Sequence, residues 1–369
     1  MTNLRPVVIL VEPDPSGHRF QAVANVADIA ARRGDVVLLT SKGATQTEAF
    51  RTFVAEADLQ VIERFEEIYP EPRLMARAAA EVAAEHGPAT IVVMDADAAL
   101  KTWWRVAPRE LRRLEQRPRV VFMLTRYIAR IDWTDIRALG LRTAKAILVA
   151  AAMLTRSLDR AGGFAGRDDF SDGGLVKRLR DPAHCSASAS DRAGIRQALG
   201  LPLDRKIVGV VGAIDARKCI PLVTEATLAS APDADVLVAG TVSPDVAEWL
   251  DAQTDEVRSR LILKLEYLSN EDLDRYVAAC DIVSVVQLNK GPSGIMGKAY
   301  TAGVPVLTAG SKVRAAEVRA TNGGLATPMT SAGIAAGLSE LYTDGAFRGR
   351  TLPPATSEDF ALRLLGWSE

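Results

Sequence analysis

Residues 281–307 read DIVSVVQLNKGPSGIMGKAYTAGVPVL, and their pattern decides the fold. An apolar run over 282–288 has strand length and β-branched composition. Small residues (Gly291, Pro292, Ser293, Gly294) then break it, a helical period follows over 294–302, and a second apolar run covers 304–307. Strand, glycine-rich loop and helix in that order turn the free N–H groups of the helix start, with the positive end of its dipole, towards whatever occupies the loop. That arrangement suits a phosphate. Lys290 and Lys298 flank the same turn. A cation at a helix N-terminus opposes the dipole unless an anion is bound there, so the two lysines argue for a negatively charged ligand; the alternative is a βαβ corner with two solvated lysines.

The same alternation extends outward. In the second half, strands are expected at 207–211, 236–239, 261–265, 282–288, 304–307 and 324–327, with helices at 222–230, 246–258, 271–280, 294–302, 315–320 and 331–342. The first half predicts strands at 7–12, 36–40, 59–63, 90–94 and 120–124, and helices at 19–32, 45–56, 73–86, 98–116 and 136–154. Strands joined by helix-length connections form parallel sheets covered on both faces. The expected fold class is therefore α/β, with two Rossmann-like doubly wound domains, 1–180 and 181–352, facing across a cleft. Asp181, Pro182 and the run 186–190 break the periodicity and place a linker near 179–200. A last helix at 358–367, within 353–369, is expected to cross back to the first domain. Ligands of open α/β sheets bind beyond the carboxyl ends of the strands, so two such domains offer a donor and an acceptor site.

At 369 residues the chain exceeds one ordinary core, and 48% hydrophobic with 25% charged residues is the composition of a globular protein. No secretory signal opens it, and the apolar face at 146–154 is too short to span a bilayer. Cys185, Cys219 and Cys280 are far apart, without a CxxC and with three histidines in the whole chain, which indicates neither a disulfide framework nor a zinc site and points to a reducing, cytoplasmic setting. The net charge of −1 hides an asymmetry: residues 101–160 carry 14 Lys/Arg against 5 Asp/Glu, a surplus of +9. Such a segment can meet anionic lipid at the inner face of a membrane or a phosphorylated acceptor, or it is a solvated helix face; nucleic acid is excluded as a partner by the lack of interleaved stacking aromatics.

Two further strand-end loops carry candidate chemistry. In EPDPSGHRF (12–20), Ser16 and Gly17 make the turn and His18 stands at the mouth of the first helix, as a general base or as a cap. In GAIDARKCI (212–220), Arg217 and Lys218 adjoin at a helix start, a fork plus a point charge suited to a diphosphate.

Over 199–342 the sequence resembles the GT-B glycosyltransferases, in particular glycosyltransferase family 4: LGLPLDRKIVGVVGAIDARKCIPLVTEA looks like the family's strand, Arg-Lys pair and helix, LEYLSNEDLDRYVAACDIVSVV like the helix before its donor loop, and GKAYTAGVPVL like the donor-loop helix. More weakly, PSGHRFQAVANVADIAARRGDVVLLT is similar to the acceptor-side loop and first helix. The resemblance implies a nucleotide-sugar donor held by Arg217, Lys218, Ser293 and Gly294, with Lys290 and Lys298 as cations able to take phosphate oxygens, an acceptor (glycan, lipid-linked or small molecule) near Ser16, Gly17 and His18, no cofactor and no metal, and retention of configuration, whereas a working base at His18 would favour inversion. Where the family carries two glutamates eight positions apart, this chain has Lys290 and Lys298, and a lysine cannot accept the ribose hydroxyls. It also has Cys219 where the family has glycine. Two other readings stay open: a non-catalytic GT-B module, and a nucleotide-sugar epimerase using the strand-end carboxylates Glu12, Asp95 and Asp97.

Overall fold

A computed structural model describes residues 5–131, 135–343 and 355–368, the side chain of His18 lying outside that set. In chain order the elements are β1 (Val7–Val11), α1 (Gly17–Ala31), β2 (Asp35–Ser41), α2 (Glu48–Phe53), β3 (Gln60–Phe65), α3 (Pro72–Glu85), β4 (Ala89–Val93), α4 (Leu100–Leu111), β5 (Arg119–Leu124), α5 (Ile136–Leu154), β6 (Arg160–Ala165) and β7 (Val176–Arg180). There follow α6 (Arg192–Leu199), β8 (Lys206–Val211), α7 (Ile220–Ser230), β9 (Ala234–Ala239), α8 (Pro244–Asp251), α9 (Asp255–Arg258), β10 (Leu261–Lys264), α10 (Asn270–Ala279), β11 (Ile282–Val286), α11 (Gly294–Ala302), β12 (Val306–Ala309), α12 (Lys312–Thr321), β13 (Gly324–Ala326), α13 (Ser331–Thr343) and α14 (Ser357–Leu365).

The strands form two wholly parallel sheets, ordered β3-β2-β1-β4-β5-β6-β7 and β10-β9-β8-β11-β12-β13. Helices cover both faces, which is why strands such as VVILV in β1 and ADVLVA in β9 are buried at every position and apolar almost throughout. Strand order reverses between β1 and β4 in one sheet and between β8 and β11 in the other. Those reversals are where such sheets take ligands.

One compact unit draws its described residues from Met1–Ala165, Asp169–Arg180 and Thr356–Glu369; the other comprises Gly166–Asp168 and Asp181–Ala355. In the first, α3, α4 and α5 close one face of the sheet around Ile9, Ile91, Trp103 and Phe122. Trp103 is fully buried, stands edge-on to Phe122 and donates its indole N–H to the Ser157 carbonyl at 2.8 Å, so its one polar atom costs nothing to bury. On the opposite face, α1 and α14 pack on Leu10, Val26, Leu38 and Phe360, and Phe360 stacks on Phe164 of β6 with ring centroids 5.8 Å apart.

Several expected bounds are corrected. The first sheet has seven strands rather than five. Residues 160–165 and 176–180 are β6 and β7, and α6 lies inside the expected 179–200 linker. In β7, VKRLR buries Arg178 and Arg180, whose charges meet Asp169 and Asp359 and whose guanidinium planes lie over Tyr127 and Phe170. These partners lie up to 179 residues away in sequence, so the segment reads locally as surface. The expected helix 246–258 is divided into α8 and α9, because Thr254 starts a new helix by accepting the Val257 N–H. Strand 304–307 begins two residues later: α11 ends on Gly303 at φ +77°, and the Val304 N–H is still bonded to the Ala299 carbonyl.

Candidate functional site

In the second unit, the two cationic loops read separately from sequence meet at the β8/β11 reversal. The loop after β8 passes through Gly212 (φ +97°) into a 3₁₀ turn at Ala216–Lys218, and the Arg217 carbonyl accepts the Leu288 N–H of the loop after β11 at 2.9 Å. Lys218 folds back so that Nζ donates to the Val211 carbonyl at 2.6 Å. A Cβ placed on Gly212 would lie 3.6 Å from both Lys218 Nζ and the Ile295 side chain, so the ammonium and the first turn of α11 converge on one point. Burial pushes the Lys218 ammonium down to about 8. At that value it is still mostly charged at neutral pH, and an anion bound there would hold the proton more firmly.

Ser293 caps α11, its hydroxyl accepting the Met296 N–H at 3.4 Å, while the Gly294 and Ile295 amides are among the four that the geometry of a helix start leaves without an intrahelical acceptor. Gly294 is exposed and a Cβ there would meet open space. Arg217 projects into solvent, its side chain 66% exposed, and forks onto Asp215 with Nη2–Oδ2 2.6 Å and Nε–Oδ2 2.9 Å; hydrogen bonding to Arg217 holds the Asp215 carboxyl below its usual range. Cys219 adopts φ +49°, the left-handed conformation that favours the glycine found there in the resembling family.

The donor-side lysines separate. Lys298 turns away from the helix start and pairs with buried Asp274 at 2.5 Å, also donating to the His184 carbonyl at 3.2 Å, and Asp274 in turn accepts the Ser186 N–H and hydroxyl. Its charge is spent inside the unit. Lys290 is exposed, and its carbonyl accepts the Ser311 hydroxyl.

Two arginines missed by sequence reasoning hold this loop. Arg314 on α12, fully buried, donates to the carbonyls of Gln287, Asn289, Gly291 and Ala309 at 2.9–3.1 Å and to Thr308 Oγ1 at 3.3 Å. Burial pushes it down to about 10, still charged at neutral pH. Arg167 comes from the three-residue segment Gly166–Asp168, pairs with Glu317 (2.9 Å) and Asp181 (2.8 Å), and donates to the Ser293 carbonyl at 3.2 Å. It packs flat on Gly297, where a Cβ would come within 2.4 Å of Nη2; only glycine admits the guanidinium beneath α11. A buried arginine whose partners are backbone carbonyls, or residues 150 positions away, leaves no local sequence signal.

In the first unit the β1/β4 reversal gathers carboxylates. Glu12 is fully buried; its Oε1 accepts the Asp14 N–H at 3.0 Å, and its Oε2 has no partner among the described residues. Arg19, which the sequence reading passed over, lies 2.6 Å from Asp95, 3.3 Å from Asp14 and 3.4 Å from Glu12. Thr125 Oγ1 bridges Asp95 (2.8 Å) and Asp97 (3.2 Å), and Lys145 pairs with Asp97. Ser16 begins α1 without a side-chain cap and donates its N–H to Asp14, and Gly17 is the first helical residue. His18 follows it, and its side chain lies outside the described residues.

Arg19 favours its shorter contact with Asp95, so desolvation prevails at Glu12 and pushes its carboxyl from 4.5 to about 8. The folded state therefore holds a proton that the unfolded chain releases near pH 4.5, and this contribution to stability is lost as pH rises towards 8. Glu12→Gln mimics the neutral acid. In urea unfolding the parent is expected to lose about 3 kcal/mol more than the variant between about pH 5.5 and 8.5; equal slopes for the two proteins would mean that Glu12 is ionised in the fold.

No family model and no curated protein matches the sequence. Solved structures do match nearly end to end: HepE of Anabaena in complex with UDP-glucose at 17% identity and TM-score 0.67, covering 96% of this chain and 93% of that one, and sucrose-phosphate synthase from Thermosynechococcus elongatus at 17% and 0.63, covering 98% and 94%. UDP-N-acetylglucosamine 2-epimerase is similar at 11% and 0.57, covering 99% and 95%. With seven and six parallel strands in two helix-covered sheets and this end-to-end agreement, the chain has the GT-B fold.

Proposed function

We propose that the protein is a glycosyltransferase that moves a sugar from a nucleotide-sugar donor to an acceptor, with the donor diphosphate at the β8/β11 reversal. The observation carrying this reading is the convergence of the Lys218 ammonium and the first turn of α11 on Gly212. A diphosphate there meets two unpaired amides, a helix dipole and a desolvated ammonium, and Arg217 comes within reach once it exchanges Asp215 for phosphate oxygens. As the glycosidic bond to the diphosphate breaks, charge grows on the leaving oxygen, and these groups stabilise it by about 3–4 kcal/mol per well-placed donor. The reading needs no divalent ion, since cationic side chains and the helix end supply the neutralisation. Retention of anomeric configuration belongs to the same proposal and is checked on the product by NMR. Relatives in fold solved with UDP-glucose, UDP and glucose support a nucleotide-sugar donor.

The second reading is a nucleotide-binding module without turnover. The observation favouring it is the pairing of Lys298 with Asp274, which leaves the ribose without the carboxylate that the family places at this position. A thermal-shift screen of UDP, GDP, ADP and their glucose esters, followed by an assay of nucleotide release, tests both. A ligand at a hundred times its dissociation constant stabilises the fold by about 2.7 kcal/mol. Stabilisation with release supports the transferase, stabilisation without release in the presence of varied acceptors supports the module, and no stabilisation by any of them removes the donor site.

A further inference from the structure

The outer surface of α4 and α5 sets a basic stripe beside an apolar one. Lys101, Arg105, Arg109 and Arg112 recur at intervals of four, four and three residues, so they line one side of α4, opposite the buried Trp103, Ala107 and Leu111, and all four are exposed. None of them has a carboxylate partner among the described residues. The one acidic residue of α4, Glu110, is 1% exposed and already ringed by Arg73, Arg77 and Arg113. Beside it, α5 contains no acidic residue. It turns Ala138, Val149 and Ala152 to the protein and leaves Ile136 (81%), Leu141 (51%), Ile147 (63%) and Leu154 (85%) exposed. The intervals of eleven and seven from Ile136 to Ile147 to Leu154 are whole numbers of turns, which puts these three in one row about 27 Å long. Both helices pack on the same core, so both stripes face outward on one layer.

We propose that this face docks on an anionic bilayer surface, the aliphatic row of α5 entering the acyl boundary while the cations of α4 meet the lipid headgroups. Charge complementarity selects the occupant: the exposed side chains of the two helices are cationic or apolar apart from the neutral Thr102 and Thr143, with no carboxylate among them to repel a negative surface. A protein partner would gather its apolar anchors into a central cluster, whereas here they are spread at about 10–16 Å intervals along an open helix. No described helix is long and apolar enough to cross a membrane, so the contact is one of lying on the surface. This inference does not depend on glycosyl transfer.

Cosedimentation with vesicles tests it, comparing phosphatidylcholine alone with equal parts phosphatidylcholine and phosphatidylglycerol. The parent is expected to partition at least about 100-fold more strongly onto the anionic vesicles, since each cation near the surface contributes about five-fold. Arg105→Gln with Arg109→Gln should lower that partition about 25-fold, and Ile147→Ser with Leu154→Ser about 10-fold or more. All four side chains are exposed, so the melting temperature and the nucleotide thermal shift stay at parental values. Equal partition onto both vesicle types, parental binding by the Ile147/Leu154 variant, or no binding to either vesicle, as an acidic protein partner would give, overturns the proposal.

Discussion

Arg314→Met is expected to lower the unfolding free energy of the second unit by about 3–5 kcal/mol, the largest loss of stability foreseen for one side chain in this protein. Methionine nearly matches the length of the arginine stem, so the cavity is small and the deficit reports hydrogen bonds. The carbonyls of Gln287, Asn289 and Gly291 lose the arginine as donor, while the Ala309 carbonyl keeps the Gln287 N–H and the Thr308 hydroxyl keeps its bond to the Val285 carbonyl. These three carbonyls belong to the loop that leads into α11, so the defect is local to the candidate site, and the nucleotide thermal shift should weaken with it. Urea unfolding of the full chain, followed by tryptophan fluorescence (Trp249 lies on α8 in this unit), gives the measurement. A midpoint change equivalent to less than about 1 kcal/mol would show that the loop holds its shape without the arginine.

Arg217→Ala combined with Lys218→Ala should cut nucleotide release from the donor about 1,000-fold or more while changing stability by about 1 kcal/mol. The contrast between those two readouts is the content of the prediction. Arg217 is exposed and Lys218 contributes one hydrogen bond, to the Val211 carbonyl, so neither is needed for the fold. If they neutralise the leaving diphosphate, both losses fall on the transition state, and kcat/KM drops with little change in the melting temperature. Turnover within a few-fold of the parent would remove the diphosphate from the β8/β11 reversal. Lys298→Met should behave in the opposite way, because its ammonium balances buried Asp274 rather than a ligand.

The parallel sheets were legible because doubly buried strands leave a plain mark, a short apolar run bounded by turn residues. Two helices have the same bounds in sequence and structure, α5 and α11, and both carry strong local stops: Asp135 accepts the Ala138 N–H at the start of α5, and Ser293 and Gly303 close the ends of α11. What escaped was built from distant partners. β6, RAGGFA, has glycines where Leu179 and Tyr127 press on the strand, and a glycine-rich run does not look like a strand until those neighbours are known. β7 looks charged because its neutralising carboxylates come from elsewhere in the chain.

The candidate site divides along the same line. Strand end, glycine loop and helix start are consecutive residues, so the convergence at Gly212 was foreshadowed by the two loops that make it. Lys298 was read as facing a ligand, and its pairing with Asp274, 24 positions away on α10, leaves no local mark in the sequence. Arg167, Arg314 and Arg19 act through burial, which sequence spacing does not record. In the first unit the carboxylates Glu12, Asp95 and Asp97 were picked out by their strand-end positions, but the arginine and threonine that join them were not.

The position of α14 bears on how the chain is made. Residues 356–365 complete the face of the first sheet formed with α1, yet the ribosome reaches them only after synthesising all of 181–355. During translation the first unit therefore waits with Leu10, Val26 and Phe164 partly uncovered while the second unit emerges and acquires its structure. A nascent chain arrested before residue 356 should be held by chaperones or cut by proteases at this uncovered face, and extending it by one short helix should release it.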